Sequence, residues 1–215
     1  PYLTGTDSDT NNVDLMTAIK RRDGVIIAIP YRVKYPPQGQ QATKKYYFAY
    51  NISTDNGETW THFPDDTATG GTVTFDSTVL GMRFHQGAIQ ENDGTIYAPV
   101  YARYLTDTVF RVVLMKSTDG GVNWTFYSKV QFTPTLDYTE SGLVRCANGD
   151  WLMVMRSDSK GPGGTIQRLK QKRSTNKGLT WGPVIYTPGL DVRGVNPKLL
   201  LMPNGILVLS YGHNL

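Results

Sequence analysis

Apolar and polar residues alternate along this chain with a period of two, in short runs cut by glycine turns, and no long segment carries the spacing of an amphipathic helix. Four segments show the pattern best: TAIKRRDGVIIAIPY (17–31), GAIQENDGTIYAPVY (87–101), SGLVRCANGDWLMVMR (141–156) and PKLLLMPNGILVLSY (197–211). Each reads as a short strand, an Asp-Gly or Asn-Gly turn, and a strongly alternating second strand. The turn residues Asp23, Asp93, Asn148 and Asn204 are separated by 70, 55 and 56 positions. A repeat of that length is the period of propeller blades, small antiparallel sheets too thin to bury both faces without their neighbours.

A second pattern is interleaved with the hairpins. A third strand, KKYYFAYNIS, VFRVVLMKS or IQRLKQKRS, leads into an octapeptide: STDNGETW (53–60), STDGGVNW (117–124) and STNKGLTW (174–181). The octapeptide has the chemistry of a self-contained turn. Asp55 can accept bonds from the N–H groups of its own loop, Gly57 can take a positive φ, and Trp60 can bury its ring against the strand that follows. Asn176 and Lys177 keep this chemistry in weaker form. The expectation is an all-β chain of four-stranded antiparallel blades, with about three and a half present.

Composition agrees: 13 tyrosines and 22 glycines in 215 residues suit strands and tight turns. No apolar run approaches the ~20 residues of a membrane-spanning helix. The single cysteine, Cys146, reads as a buried small side chain; it has no disulfide partner and no Cys/His set has metal-ligand spacing, so no metal or cofactor is expected. The net charge is +4, but its basic residues (Arg21-Arg22, Lys44-Lys45, and Lys170, Lys172 and Arg173) form no stripe and do not interleave with aromatics. That argues against nucleic acid as a partner and leaves a mildly basic surface suited to anionic glycans.

Ser-x-Asp-x-Gly-x-x-Trp after each third strand resembles the Asp-box, or BNR repeat, and from Val13 to Tyr211 the chain resembles the sialidase-like six-bladed propellers. That resemblance implies six blades, which at about 55–60 residues each need well over 300 positions. Residues 1–215 are accordingly expected to form a single-domain partial propeller, truncated at its C-terminal end in mid-blade.

Residues at equal offsets from the blade turns should converge on one end of a propeller. Eight positions before the turn residue stand Leu15, His85, Glu140 and Asn196; eight after stand Tyr31, Tyr101, Arg156 and Gly212. Carboxylate, guanidinium, imidazole, amide and phenol are the groups that bind or process sugars. A three-residue hairpin loop makes Glu140 and Arg156 cross-strand neighbours, and the same reasoning sets Asp14 opposite Arg32. YTESGLVRCANGDWLMVMR also resembles the sialidase segment running from a glutamate to an arginine. By that resemblance Glu140 raises the basicity of a tyrosine nucleophile beyond Leu215, and Arg156 grips a substrate carboxylate with its planar fork. Two family features differ: Asp14 stands where an arginine is usual, and RVKYPPQGQQATKK (32–45) lacks the loop aspartate of the family. Asp14 is then either an ion-pair partner of Arg32 or a replacement acid that, with Glu140, completes the carboxylate pair of most glycosidases.

The sequence thus nominates Glu140 and Asp14 as catalytic and Arg156, Arg32, His85, Tyr101 and Asn196 as substrate-binding. The expected function is a sialidase-like exo-glycoside hydrolase, extracellular or cell-surface, acting on a terminal acidic sugar. Two alternatives use the same residues: a non-catalytic glycan-binding propeller of adhesin or phage-receptor type, and a polysaccharide lyase in which His85 or Tyr101 removes a proton beside a uronate.

Overall fold

The computed structural model describes residues 15–30, 33–34, 44–159, 164–187 and 193–213. All regular structure among them is β. The strands are β1 (Leu15–Lys20), β2 (Ile26–Pro30), β3 (Val33–Lys34), β4 (Lys45–Phe48), β5 (Tyr50–Ser53), β6 (Thr61–Phe63), β7 (Gly71–Thr74), β8 (Val79–Phe84) and β9 (Ile89–Gln90). They continue with β10 (Ile96–Tyr104), β11 (Arg111–Ser117), β12 (Asn123–Gln131), β13 (Leu136–Arg145), β14 (Trp151–Ser159), β15 (Lys170–Ser174), β16 (Ile185–Tyr186), β17 (Gly194–Leu201) and β18 (Leu207–His213). No helix among the described residues is long and apolar enough to cross a membrane.

Four sheets follow one another along the chain. The first (β1-β2-β5-β6) and third (β13-β14-β15-β16) are four-stranded and antiparallel, as the repeats predict. The second departs from that expectation. It has eight strands, in the order β3-β4-β7-β12-β11-β10-β8 with β9 also on β10, and β7 pairs with β12 in parallel. The fourth, among the described residues, is the β17-β18 pair.

Period-two alternation explains how the sheets stack. Val113 and Met115 point from β11 into a core shared with Ile19, Ile27 and Ile29 of the first sheet, while Val112 and Leu114 point the other way, onto Leu143, Met153 and Met155 of the third. On β14 the neighbouring positions Leu152 and Val154 join Leu169 in a third core against Leu199, Leu207, Leu209 and Tyr211. The second and third sheets therefore each bury their two faces against different neighbours.

The octapeptides fold alike. Ser53, Ser117 and Ser174 donate their hydroxyls to Asp55, Asp119 and Asn176 (2.7, 2.7 and 2.9 Å), and each of those acceptors takes the backbone N–H four residues on at 2.9 Å. Positive φ values at Gly57, Gly121 and Gly178 close the turns. Trp124 is fully buried, whereas Trp60 and Trp181 are only partly covered. Cys146 is half-buried rather than buried, and Arg173 Nη1 lies 3.5 Å from its sulfur.

Candidate functional site

The Asx-Gly turns and the octapeptides share one end of the sheets, where Lys20 donates to Asn56. The opposite end gathers the polar residues of the hairpins. It does so because the inner strands of adjacent sheets approach without intervening side chains: Leu143 N–H donates to Gln86 O (3.2 Å), and a Cβ on Gly87, at φ +83°, would lie 2.3 Å from the Leu143 carbonyl oxygen. A Cβ on Gly142 would likewise meet Pro197 O at 2.8 Å.

Backbone irregularities set the positions. The β13–β14 ladder shifts by one residue between Tyr138 and Ser141, so Thr139 and Glu140 together face Arg156. The β17–β18 ladder shifts between Val195 and Lys198, next to Asn196, which sits at φ +52°. Bulges of this kind re-aim side chains, and strained backbone of this kind collects at functional sites.

Glu140 and Arg156 are cross-strand neighbours, with Arg156 Nη1 3.3 Å from Glu140 Oε1. The second oxygen of Glu140 accepts the Asn196 N–H at 2.7 Å. Arg156 Nε donates to Asp158 Oδ2 at 2.9 Å, so the guanidinium lies between two carboxylates. Asp158 Oδ1 is buried and accepts no hydrogen bond among the described residues. Burial raises the Asp158 pKa above the ordinary carboxylate value, with Glu140 and the cross-strand Asp137 adding to the rise and Arg156 opposing it.

His85 is the innermost member, 1% exposed. Its Nδ1 lies 3.1 Å from both the backbone N and the carbonyl O of Ser141. A neutral ring can accept the N–H there, and the Asn196 side chain is a second hydrogen-bond partner of the imidazole. Burial lowers its pKa, and Lys198 adds to the lowering; the bonds to Ser141 and Asn196 and the charge of Glu140 oppose it. His85 therefore links the second, third and fourth sheets and holds the strand that carries Glu140.

Tyr101 packs edge-on against Phe110 (5.5 Å) with His85 6.2 Å away, and burial raises its phenol pKa. Its cross-strand partner is Arg83, because Gln86 and Gly87 displace the ladder by two residues relative to the turn. Arg83 is half-buried, its pKa lowered by burial, and its charge, like that of Arg156, lowers the Tyr101 pKa while that of Glu140 raises it. The equal-offset rule misses Arg83 and Asp158. Both stand ten positions from their turn residues, which a search widened by one residue on the same strand face would reach. Asp14, Arg32 and Tyr31 lie outside the described residues. The register shift between Leu15 and Thr17 ends the run of equidistant pairs before it reaches Asp14.

Residues 11–214 match the family described as BNR repeat-like domain. A comparison with curated proteins found no match. Among solved structures, a protein of unknown function from Dyadobacter fermentans is 21% identical with a TM-score of 0.64, the match covering 92% of this chain and 56% of that one. The alpha-L-arabinanase of Penicillium chrysogenum, solved with arabinobiose, is 14% identical at TM-score 0.59, covering 90% and 57%. The intramolecular trans-sialidase of Ruminococcus gnavus, solved with oseltamivir carboxylate, is 21% identical at TM-score 0.52, covering 77% and 33%. These likenesses support a propeller-type fold, and the chain spans little more than half the length of the first two.

Proposed function

The chain belongs to the BNR repeat-like domain family, and from that premise we propose that it forms part of a six-bladed Asp-box propeller acting on glycans as an exo-glycoside hydrolase. The observation that carries the proposal is the Glu140 carboxylate, held at a bulge by Arg156 at 3.3 Å and by the Asn196 N–H at 2.7 Å. Such support fixes the carboxylate in place, where it can activate a nucleophile or stabilise developing charge. Asp158, with its raised pKa, is a second carboxyl group beside Arg156 and a candidate, like Asp14, for the acid that pairs with Glu140. The names of the arabinanase and the trans-sialidase are consistent with a glycan substrate. Such substrates are mostly extracellular, so a secreted or cell-surface protein fits this reading.

An acidic terminal sugar, as in a sialidase, is favoured by two guanidinium groups, Arg83 and Arg156, whose charges both act on Tyr101. A neutral sugar is favoured by a different observation: Arg156 already spends Nε on Asp158 and Nη1 on Glu140. A proton NMR time course separates the two readings. The protein and its Glu140→Gln variant are incubated with 3′-sialyllactose, arabinobiose and a glucuronate-containing disaccharide. A free-sugar anomeric signal produced only by the unmodified protein supports the hydrolase and identifies its sugar. A vinyl signal indicates a lyase, and ligand line broadening without product a binding module; either outcome overturns the hydrolase.

A further inference from the structure

The blade period is irregular, and the catalytic reading does not use the irregularity. From Ser53 to Asp93 there are 40 positions, against 31 from Ser117 to Asn148 and 30 from Ser174 to Asn204. The first repeat is thus nine or ten residues longer after its octapeptide. Those residues build the loop from Pro64 to Gly70 and strand β7, which slots between β4 and β12 and enlarges the second sheet. Insertions into a repeat framework are where such proteins add binding surface.

The added ribbon borders an open cavity of about 460 Å³, within the range of small-molecule sites. It is lined by Lys45, Tyr47, Phe63, Thr72 and Asn123, with the 67–70 loop as one wall. Tyr47, Thr72 and Asn123 stand in one row across β4, β7 and β12, on the face opposite to buried Tyr46, Val73 and Trp124. Phe63 lies flat on buried Tyr50, centroids 4.5 Å apart and rings 5° from parallel, so its orientation is fixed. The wall is fixed too: Asp66 Oδ1 accepts the N–H groups of Ala68 (2.9 Å), Thr69 (2.6 Å) and Gly70 (3.4 Å). Lys45 extends over the Tyr47 ring, 5.6 Å from its centroid.

Two oriented aromatic rings beside hydroxyl, amide and ammonium groups match the two-sided chemistry of a sugar, whose C–H face packs on a ring while its hydroxyls meet polar partners. A preformed wall lowers the ordering cost of binding. The cavity draws its lining from β4 to β7, the 67–70 loop and β12, whereas the Glu140 cluster stands on β13 and β14 of the third sheet, so one is not an extension of the other. We propose that the cavity between the β4–β7 ribbon and the 64–70 loop is a second glycan-binding site, taking one or two units of an oligosaccharide. It shares only its ligand class with the proposed function. A site so placed anchors a polymeric glycan while its end is processed elsewhere, raising the local concentration of chain ends.

The test is an NMR titration of the aromatic and methyl signals of the Glu140→Gln protein with 3′-sialyllactose, an arabino-oligosaccharide and a glucuronate-containing disaccharide. Saturable shifts at Tyr47, Phe63 and Thr72 are expected with at least one of them. Tyr47→Ala should weaken that binding about tenfold, equivalent to about 1.4 kcal/mol. Lys45→Glu, at an exposed position, provides a second variant that leaves the core untouched and should act most strongly on an anionic probe. Shifts confined to the surroundings of Glu140 and Arg156, shifts indifferent to both variants, or no shifts with any probe each overturn the inference. Shifts at Tyr47 without turnover by the unmodified protein leave this inference standing and remove the hydrolase; turnover without them does the reverse.

Discussion

Replacing His85 removes a group that fastens three sheets around Glu140. The ring is 1% exposed, accepts the Ser141 N–H at 3.1 Å and bonds the Asn196 side chain. In His85→Ala the Ser141 N–H loses its partner in a buried place, a cost of about 1–3 kcal/mol, and the vacated ring volume adds a packing loss of about 1–2 kcal/mol. The expected total is about 2–5 kcal/mol in urea unfolding. A second signature depends on pH. Burial depresses the His85 pKa below its unfolded value of about 6.5, so the unfolded chain binds more protons between the two values. Stability from the neutral ring is therefore complete above about pH 6.5 and is lost as pH falls through the folded pKa. His85→Gln abolishes this titration while keeping an acceptor and a donor, and the other histidines, His62 and His213, remain in both proteins. The unmodified protein should lose more stability than His85→Gln between about pH 7 and pH 5. Parallel curves for the two proteins, or a His85 ring titrating at or above about 6.5 by NMR, would refute the buried neutral clamp.

Other perturbations separate folding from chemistry. Glu140→Gln keeps an acceptor for the Asn196 N–H and should abolish glycan turnover in the NMR assay with little change in melting temperature. Arg156→Ala leaves Glu140 and Asp158 facing each other without their shared cation and should cost about 3 kcal/mol in urea unfolding as well as activity. Asp119→Ala deletes the acceptor of the Ser117 hydroxyl and of both Asn123 groups and should cost about 2 kcal/mol, whereas Asp119→Asn should cost less than half as much, since Asn176 serves the third octapeptide. Gly87→Ala drives a methyl group to 2.3 Å from Leu143 O at a positive φ, and a loss of about 2 kcal/mol or more should appear as a lowered denaturation midpoint.

The fold was legible where local chemistry decides it. Alternation set the two faces of β11 and β14, and Asx-Gly turns set the hairpins. Glu140 and Arg156 were found because their ladder holds its register from Arg145 to Ser141, so counting from the turn errs by a single residue at the bulge. In the second sheet, Gln86 and Gly87 add two residues at a contact with β13, and counting fails by two; His85 falls inside and Arg83 takes the place opposite Tyr101. That insertion answers to a neighbouring sheet remote in sequence, which no local pattern records. The β7–β12 parallel pair was hidden for the same reason: its partners stand about fifty positions apart, and only the 70-residue first period hinted at extra strands.

The path of the chain between the first two sheets has a mechanical consequence. After β2 the backbone leaves the first sheet, contributes β3 and β4 to the second, and returns as β5 to pair again with β2. Neither sheet can be peeled away while the other stays whole, because the same excursion of chain is hydrogen-bonded into both. The two sheets should therefore open as one cooperative body, and amides of β2, β4, β5 and β7 should share a single exchange free energy. The elongated first repeat would then act as a latch between two blades, converting what would be a contact of side chains into a bond of topology.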